Sequence, residues 1–197
     1  MGKIFEIMGR SSCGKDTIYK HLLERGNVDL NKVIIYTTRP MREKEKDGVQ
    51  YFFCSIERYE ALKADRKIIE ERTYNTVYGP WHYFTVDDGQ IDLSKGNYLI
   101  IGTVEMFVSI REYFGEGNVV PLMISATDGE IMKRAMKREQ KQEEPKYDEM
   151  CRRFLADKAD YADEKLAAAG ITRTFDNNGE LEDCIKEIEK FILEETK

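Results

Sequence analysis

The sequence predicts an α/β fold with a mainly parallel central sheet, and three observations predict it. Short apolar and β-branched runs alternate with amphipathic stretches at helical spacing, the pattern of strand–helix–strand units. A glycine-rich turn stands where the first strand should hand over to the first helix. The chain has 197 residues, 41% apolar and 35% charged. A chain of this size buries about 70% of the surface its unfolded form exposes, so one domain can hold a core without disulfide or metal staples.

Strands are expected at 3–8, 32–36, 97–102, 119–124 and 171–175. Pro121 is awkward in the fourth, because a proline has no N–H to give a central strand. Helices are expected at 15–25, 104–114, 129–141, 147–169 and 180–194. The last carries Leu181, Cys184, Ile185, Ile188 and Ile192 as one apolar stripe, which reads as core. Two regions break the alternation. Residues 48–88 are rich in Tyr, Phe, Thr and Val and read as consecutive strands around a short helix at 56–63, a small β-rich insertion. Residues 133–149, KRAMKREQKQEEPKYDE, are almost wholly charged and are interrupted by Pro145. On charge alone a solvated pair of helix ends is favoured there over a basic lid.

Thirty-one Lys and Arg against 37 Asp and Glu give a net charge of −6. That balance argues against nucleic acid or a membrane surface as partner, and any anionic ligand then needs a local basic cluster. Cys13, Cys54, Cys151 and Cys184 form no CxxC pair and give neither a zinc spacing nor a disulfide framework. The apolar run at the N-terminus is short and broken by Glu6, which is no signal peptide, and Glu6 also stands where a myristoylation motif needs Ser or Thr. No stretch approaches 18 apolar residues. A reduced, cytoplasmic protein is the expectation.

Gly9-Arg10-Ser11-Ser12-Cys13-Gly14-Lys15 fits G-x-x-x-x-G-K after the first strand and at the start of the first helix, the context that the phosphate loop requires. Backbone N–H groups wrap the phosphates, the helix N-terminus adds partial positive charge, and Lys15 reaches the β/γ oxygens. The motif then asks for Ser or Thr, where this chain has Asp16 followed by Thr17. Asp16 beside a triphosphate is either a Mg²⁺ ligand or turned away, and Thr17 is the nearest hydroxyl. The plain alternative is a Gly/Ser-rich turn that binds nothing.

A second basic cluster follows. Thr37-Thr38-Arg39, Arg42, Glu45, Gly48, Tyr51 and Phe53 resemble, in order, the signature T-T-R-x-x-R-x-x-E-x-x-G-x-x-Y-x-F of the guanylate kinase family. Ile69-Glu70 and Tyr78-Gly79 resemble that family's guanine-contacting segment and its phosphate-binding tyrosine, and Arg134, Arg138 and Arg153 resemble its lid and helix arginines. The resemblance implies a three-layer P-loop kinase: a core at 1–35 and 90–197, an acceptor-binding insertion at about 36–89 and a helical lid at about 130–149. It implies ATP and GMP (or dGMP) as substrates, Mg²⁺ with the ATP, and a monomer or weak homodimer. By the same resemblance residues 9–17 bind ATP, with Asp16 and Thr17 toward the metal. Arg39, Arg42, Tyr51, Glu70 and Tyr78 bind GMP, and Lys15 with the three lid and helix arginines cover the transferring phosphoryl group. The chemistry agrees. Forked guanidinium groups suit a dianionic monophosphate, and phosphoryl transfer needs positioning and electrostatic cover more than covalent help.

The chain departs from the family pattern in three places. An acidic D-x-D segment after the insertion is absent: the strand runs into Gly102-Thr103-Val104, with Glu105 beyond. Ile35 and Pro80 stand where hydroxyls of the guanine pocket are usual, so guanine O6 is left to Thr37, Thr73, water or a backbone N–H. Two other readings therefore stand beside a guanylate kinase: a same-fold kinase with a drifted acceptor, and an inactive guanylate-kinase-like binding module. Retention of Gly14-Lys15 and the lid arginines speaks against the module.

Overall fold

The computed structural model describes residues 1–76 and 79–197. Its centre is an all-parallel sheet in the order β2 (Leu30–Lys32), β7 (Asn97–Ile101), β1 (Ile4–Met8), β8 (Val119–Ser125), β9 (Thr174–Asp176). Strand alternation sends Phe5 and Ile7 to one face, where they pack with Ile18 and Leu22 of α1 (Lys15–Arg25) and with Ile185, Ile188 and Ile192 of α7 (Leu181–Glu195). Ile4 and Met8 go to the other face, against Phe107 and Ile110 of α3 (Val104–Phe114) and Leu166 of α6 (Asp163–Ala168). These are the three layers the sequence predicts, and the stripe on α7 is core.

The insertion is a second sheet in the order β4 (Phe52–Phe53), β3 (Tyr36–Thr37), β6 (Gly79–Val86), β5 (Ile68–Thr76). α2 (Ile56–Ala64), started by the Ser55 cap, closes a small core of Tyr59, Leu62, Phe84 and Val86 beneath it. α3 also packs against β5, which seats the insertion on the main body.

Three boundaries differ from the sequence reading. The strand expected at 32–36 is two: Leu30–Lys32 pairs with β7, then the chain leaves that sheet and Tyr36–Thr37 joins the insertion. The helix expected at 147–169 breaks at Tyr161 between α5 (Tyr147–Asp160) and α6, where Tyr161 turns its ring into the protein against the Gly9 backbone. The strand expected at 171–175 pairs only over Thr174–Asp176. Pro121 is tolerated because β9 meets β8 only from Met123 onward, so β8 has an open side at the proline. Among the described residues no helix is long and apolar enough to cross a membrane.

Candidate active site

The phosphate loop links the C-terminal end of β1 to α1, the end of a parallel sheet where ligands gather. Gly14 adopts φ 101°, and a Cβ there would lie 2.3 Å from Asn177 Nδ2. That close approach fixes the loop, because the Asn177 side-chain amide donates to Cys13 O at 2.7 Å. Ser12 holds a left-handed φ of 66°, and both Ser12 Oγ and Asn177 Oδ1 are buried without a hydrogen-bond partner among the described residues, the condition of a loop shaped for a ligand. From the other side Asp157 of α5 accepts the Ser11 N–H, and Arg153 reaches Ser11 Oγ at 3.4 Å. Arg10 donates to Asp128 at 2.5 Å and lies over the Phe154 ring.

Lys15 is mostly buried, and Asp16 is exposed with its carboxylate 3.9 Å from the Lys15 ammonium. Asp16 is thus turned toward the cleft mouth and leaves Lys15 free for an anion, with Thr17 exposed beside it. Oxygen donors of this kind suit Mg²⁺, which is held by one or two protein oxygens plus the phosphates of its nucleotide. Thr103 and Glu105 stand where the acidic pair is missing. The Thr103 hydroxyl is spent capping α3, while Glu105 is exposed on the cleft wall.

A cleft of about 920 Å³ runs from Lys15 and Asp16 to the insertion, where Tyr51, Tyr74, Trp81 and Tyr83 make an aromatic wall. Ring contacts of 5.6 Å (Tyr51 with Tyr83) and 5.5 Å (Tyr74 with Tyr83) hold that wall together. Ile35 contributes an apolar patch. Arg39 is 3% exposed and heavily engaged: it donates to Glu45 at 2.8 Å, Tyr83 Oη at 3.1 Å and Pro40 O at 2.7 Å, and lies over the Tyr51 and Phe53 rings. Those hydrogen bonds hold the Glu45 carboxyl below its ordinary range. Arg42 gives only its backbone N–H to Glu45, so its exposed side chain is at the disposal of a ligand. Tyr78 lies outside the described residues.

A smaller cavity of about 160 Å³ lies between the loop and the pair α4 (Asp128–Glu139) and α5, and Arg138 and Arg153 line it. Buried Glu139 accepts the Lys146 N–H at 2.6 Å and the Gln142 amide at 2.8 Å, which draws the charged 140–146 connector into a turn. Arg153 faces both cavities. Arg134 does not join it. Its guanidinium is committed to Asn177 O at 2.7 Å, Cys13 O at 3.3 Å and Glu130 at 2.9 Å, behind the loop.

Glu70 also differs from its expected place. Burial raises its carboxyl above the ordinary range; one oxygen accepts from Thr85 at 2.8 Å, the other lies 3.2 Å from Arg72 Nε, and only 2% of its side chain is exposed. Arg72, two residues on and on the same face of β5, stands on the cleft wall in its place. Glu6 sits behind both. It occupies a β1 position that alternation with Ile4 and Met8 gives to the core, it is fully buried, and neither oxygen has a hydrogen-bond partner among the described residues. Burial holds its carboxyl well above the usual range, against the pull of Arg72. A Cβ at Gly102 would come within 2.2 Å of Glu6 Oε1, so only glycine leaves room for this carboxyl. Sequence reasoning missed Arg72, Asn177, Asp157 and Glu6. A charged residue at an inward strand position was the available signal for Glu6.

The three-layer parallel sheet with a G-x-x-x-x-G-K loop after β1, and a second sheet across a shared cleft, give the architecture of a P-loop fold. Residues 1–85 match the guanylate kinase family model. A guanylate kinase of Mycoplasmoides gallisepticum is 42% identical over 79 residues, 40% of this chain and 40% of that protein. One of Oceanobacillus iheyensis is 34% identical over 131 residues, 64% of this chain and 60% of that protein. The aligned stretches thus span about half the length of these relatives. The crystal structure of guanylate kinase from Anaplasma phagocytophilum shares the fold over 100% of this chain and 87% of its own, with TM-score 0.68 at 20% identity. The first 85 residues are thus similar to the guanylate kinase family, and the whole chain shares the fold of a guanylate kinase structure.

Proposed function

We propose that the protein transfers the γ-phosphoryl group of ATP directly to GMP or dGMP. The observation that carries this reading is the cleft that joins Lys15 of the phosphate loop to the aromatic, Arg72-bearing wall of the insertion, so that donor and acceptor phosphates can share one space. ATP lies along residues 9–17, its β/γ oxygens covered by backbone N–H groups and Lys15. Mg²⁺ bound with the ATP adds positive charge there, next to Asp16 and Thr17. Arg42, Arg39 and Tyr51 take the acceptor monophosphate, Arg39 as the rigid base of the cluster and Arg42 as its free arm. Tyr78 is proposed to join them. Arg138, in a lid at about 130–149, and Arg153 of α5 face the loop and meet the charge that spreads over the equatorial oxygens. Arg134 serves them indirectly, by bracing the loop through Cys13 O. The four cysteines are all free, in keeping with a reduced, cytoplasmic setting. The test is ADP release from ATP with GMP, dGMP, AMP, CMP and UMP in turn. Turnover with GMP and dGMP is expected; turnover with none of the five overturns the proposal.

A further inference from the structure

We propose that Arg72 is the residue that reads the acceptor base, presenting guanidinium donors to the O6/N7 edge of guanine while Glu70 holds it in place. The inference rests on the reading of the cleft as the acceptor site and goes beyond it by naming a specificity residue. The side chains that could otherwise donate to O6 are not free to do so. Thr37 donates to His82 O at 2.9 Å and accepts the Arg39 N–H at 3.1 Å. Thr73 is paired with His82 Nδ1 at 2.9 Å, and Ile35 has no polar group. Glu70, the natural partner for guanine N1–H and the 2-amino group, is withdrawn behind the wall with both oxygens engaged. Arg72 is the opposite case. It lines the cleft, 18% of its side chain is exposed, its Nε faces Glu70 at 3.2 Å, and its Nη2 has no hydrogen-bond partner among the described residues.

A guanidinium left with unmade hydrogen bonds beside a cavity is a costly arrangement unless a ligand supplies the acceptors. Guanine offers two adjacent acceptors, O6 and N7, and arginine is the side chain that matches them best. Adenine keeps N7 but replaces O6 by an amino group, a donor that faces a cation with nothing to share. Tyr74, Trp81 and Tyr83 flank Arg72 on the same wall and provide the ring faces against which a purine can lie. The ion pair with Glu70 fixes the direction of the fork, and buried Glu6 contributes a further carboxyl to the field around it. Glu70 is therefore a positioning residue for Arg72.

The experiment compares wild type with Arg72→Met, Arg72→Lys and Glu70→Gln. It measures kcat/KM for GMP, IMP and AMP, the KM for ATP, and calorimetric binding of GMP without ATP. IMP keeps O6 and N1–H but lacks the 2-amino group, so it separates O6 reading from amino-group reading. Arg72→Met should weaken GMP and IMP by the same factor of about 10–100, the scale of one charged hydrogen-bonding contact, while the KM for ATP and the weak AMP rate stay put. Arg72→Lys keeps the charge beside Glu70 and the fold, and should fall between. Glu70→Gln should also weaken GMP and IMP alike. Equal losses for GMP and AMP in Arg72→Lys, or a Glu70→Gln loss confined to GMP over IMP, would overturn the assignment. Wild-type protein that transfers nothing yet binds GMP in an Arg72-dependent way overturns the activity alone. GMP turnover and binding indifferent to Arg72 overturn this inference alone, and no GMP binding by wild type overturns both.

Discussion

Replacing Glu6 by leucine is expected to stabilise the protein, and more so at high pH than at low. Glu6 has 0% exposure and neither carboxyl oxygen has a hydrogen-bond partner among the described residues. A buried polar group left unsatisfied costs about 1–3 kcal/mol even when neutral. Leucine is close in volume and would sit with Ile4 and Met8 on the α3 face, beside the Met106 sulfur. A gain of about 2 kcal/mol follows, which in a chain of this size raises Tm by roughly 4–8 °C. The pH dependence has a definite sign. Burial raises the folded pKa of Glu6 above its unfolded value, so between the two the folded state holds a proton that the unfolded state has released. Stability from this group is complete below the unfolded pKa and is lost as pH rises toward the folded one, by up to about 1.4 kcal/mol per pH unit. The charged groups in its field are Arg72, which opposes the shift, and Glu70, which adds to it. Urea unfolding of wild type and Glu6→Leu at pH 5, 6, 7 and 8 measures the difference directly. The gap should be positive at pH 5 and widen upward, and Glu6→Gln should abolish the widening while keeping little of the gain. A leucine variant less stable than wild type at pH 7 would refute the reasoning, since it would mean that Glu6 is ionised and paired with Arg72.

Lys15→Ala should cut turnover by about 10²-fold or more with an unchanged melting curve, because Lys15 acts on charge that develops in the transition state; wild-type turnover would remove the loop from the mechanism. Gly14→Ala should abolish ATP binding by calorimetry, since its Cβ would fall 2.3 Å from the Asn177 amide at a φ of 101° that alanine resists. Arg42→Ala should raise the KM for GMP and leave both the KM for ATP and the stability alone. Arg39→Ala should raise the KM for GMP too, but also lower stability by about 1–3 kcal/mol in a denaturation curve, because Glu45 and Tyr83 lose their shared partner.

The layers and the loop were legible in the sequence because each rests on a local signal. The start of α1 follows from the phosphate loop, and the structure has α1 and α3 at the residues the helical spacing gives. The strand around residue 34 was not legible as two strands, because an apolar run says that residues are buried and not which sheet buries them. The break at Tyr161 was hidden for a similar reason: the 147–169 pattern is helical throughout, and the interruption comes from a tertiary contact with Gly9. Lys15 and Tyr51 line the cleft, and Arg42 keeps an exposed side chain beside the insertion. Arg134 and Glu70 stand in the right neighbourhood but face other partners, and a motif carries the position of a side chain without its orientation.

Arg72, Glu70 and Glu6 also make sense together as a charge balance. The acceptor monophosphate carries about two negative charges, and Arg39 is already matched by Glu45, so Arg42 and Lys15 provide most of the uncompensated attraction. Two ionised carboxylates at the base end of the same cleft would work against it. Arg72 offsets Glu70 through their ion pair, and burial pushes the Glu6 carboxyl above its ordinary range, which disfavours a second negative charge beside them. A hydroxyl at position 35 or 80 could have met O6 without any such arrangement. With Ile35 and Pro80 in those places, a cation becomes the available donor, and a cation there requires a carboxylate to hold it. On this argument the unsatisfied Glu6 is a stability cost incurred at the functional end of the molecule, and the leucine that removes it should be the better folded and the poorer discriminator between GMP and AMP.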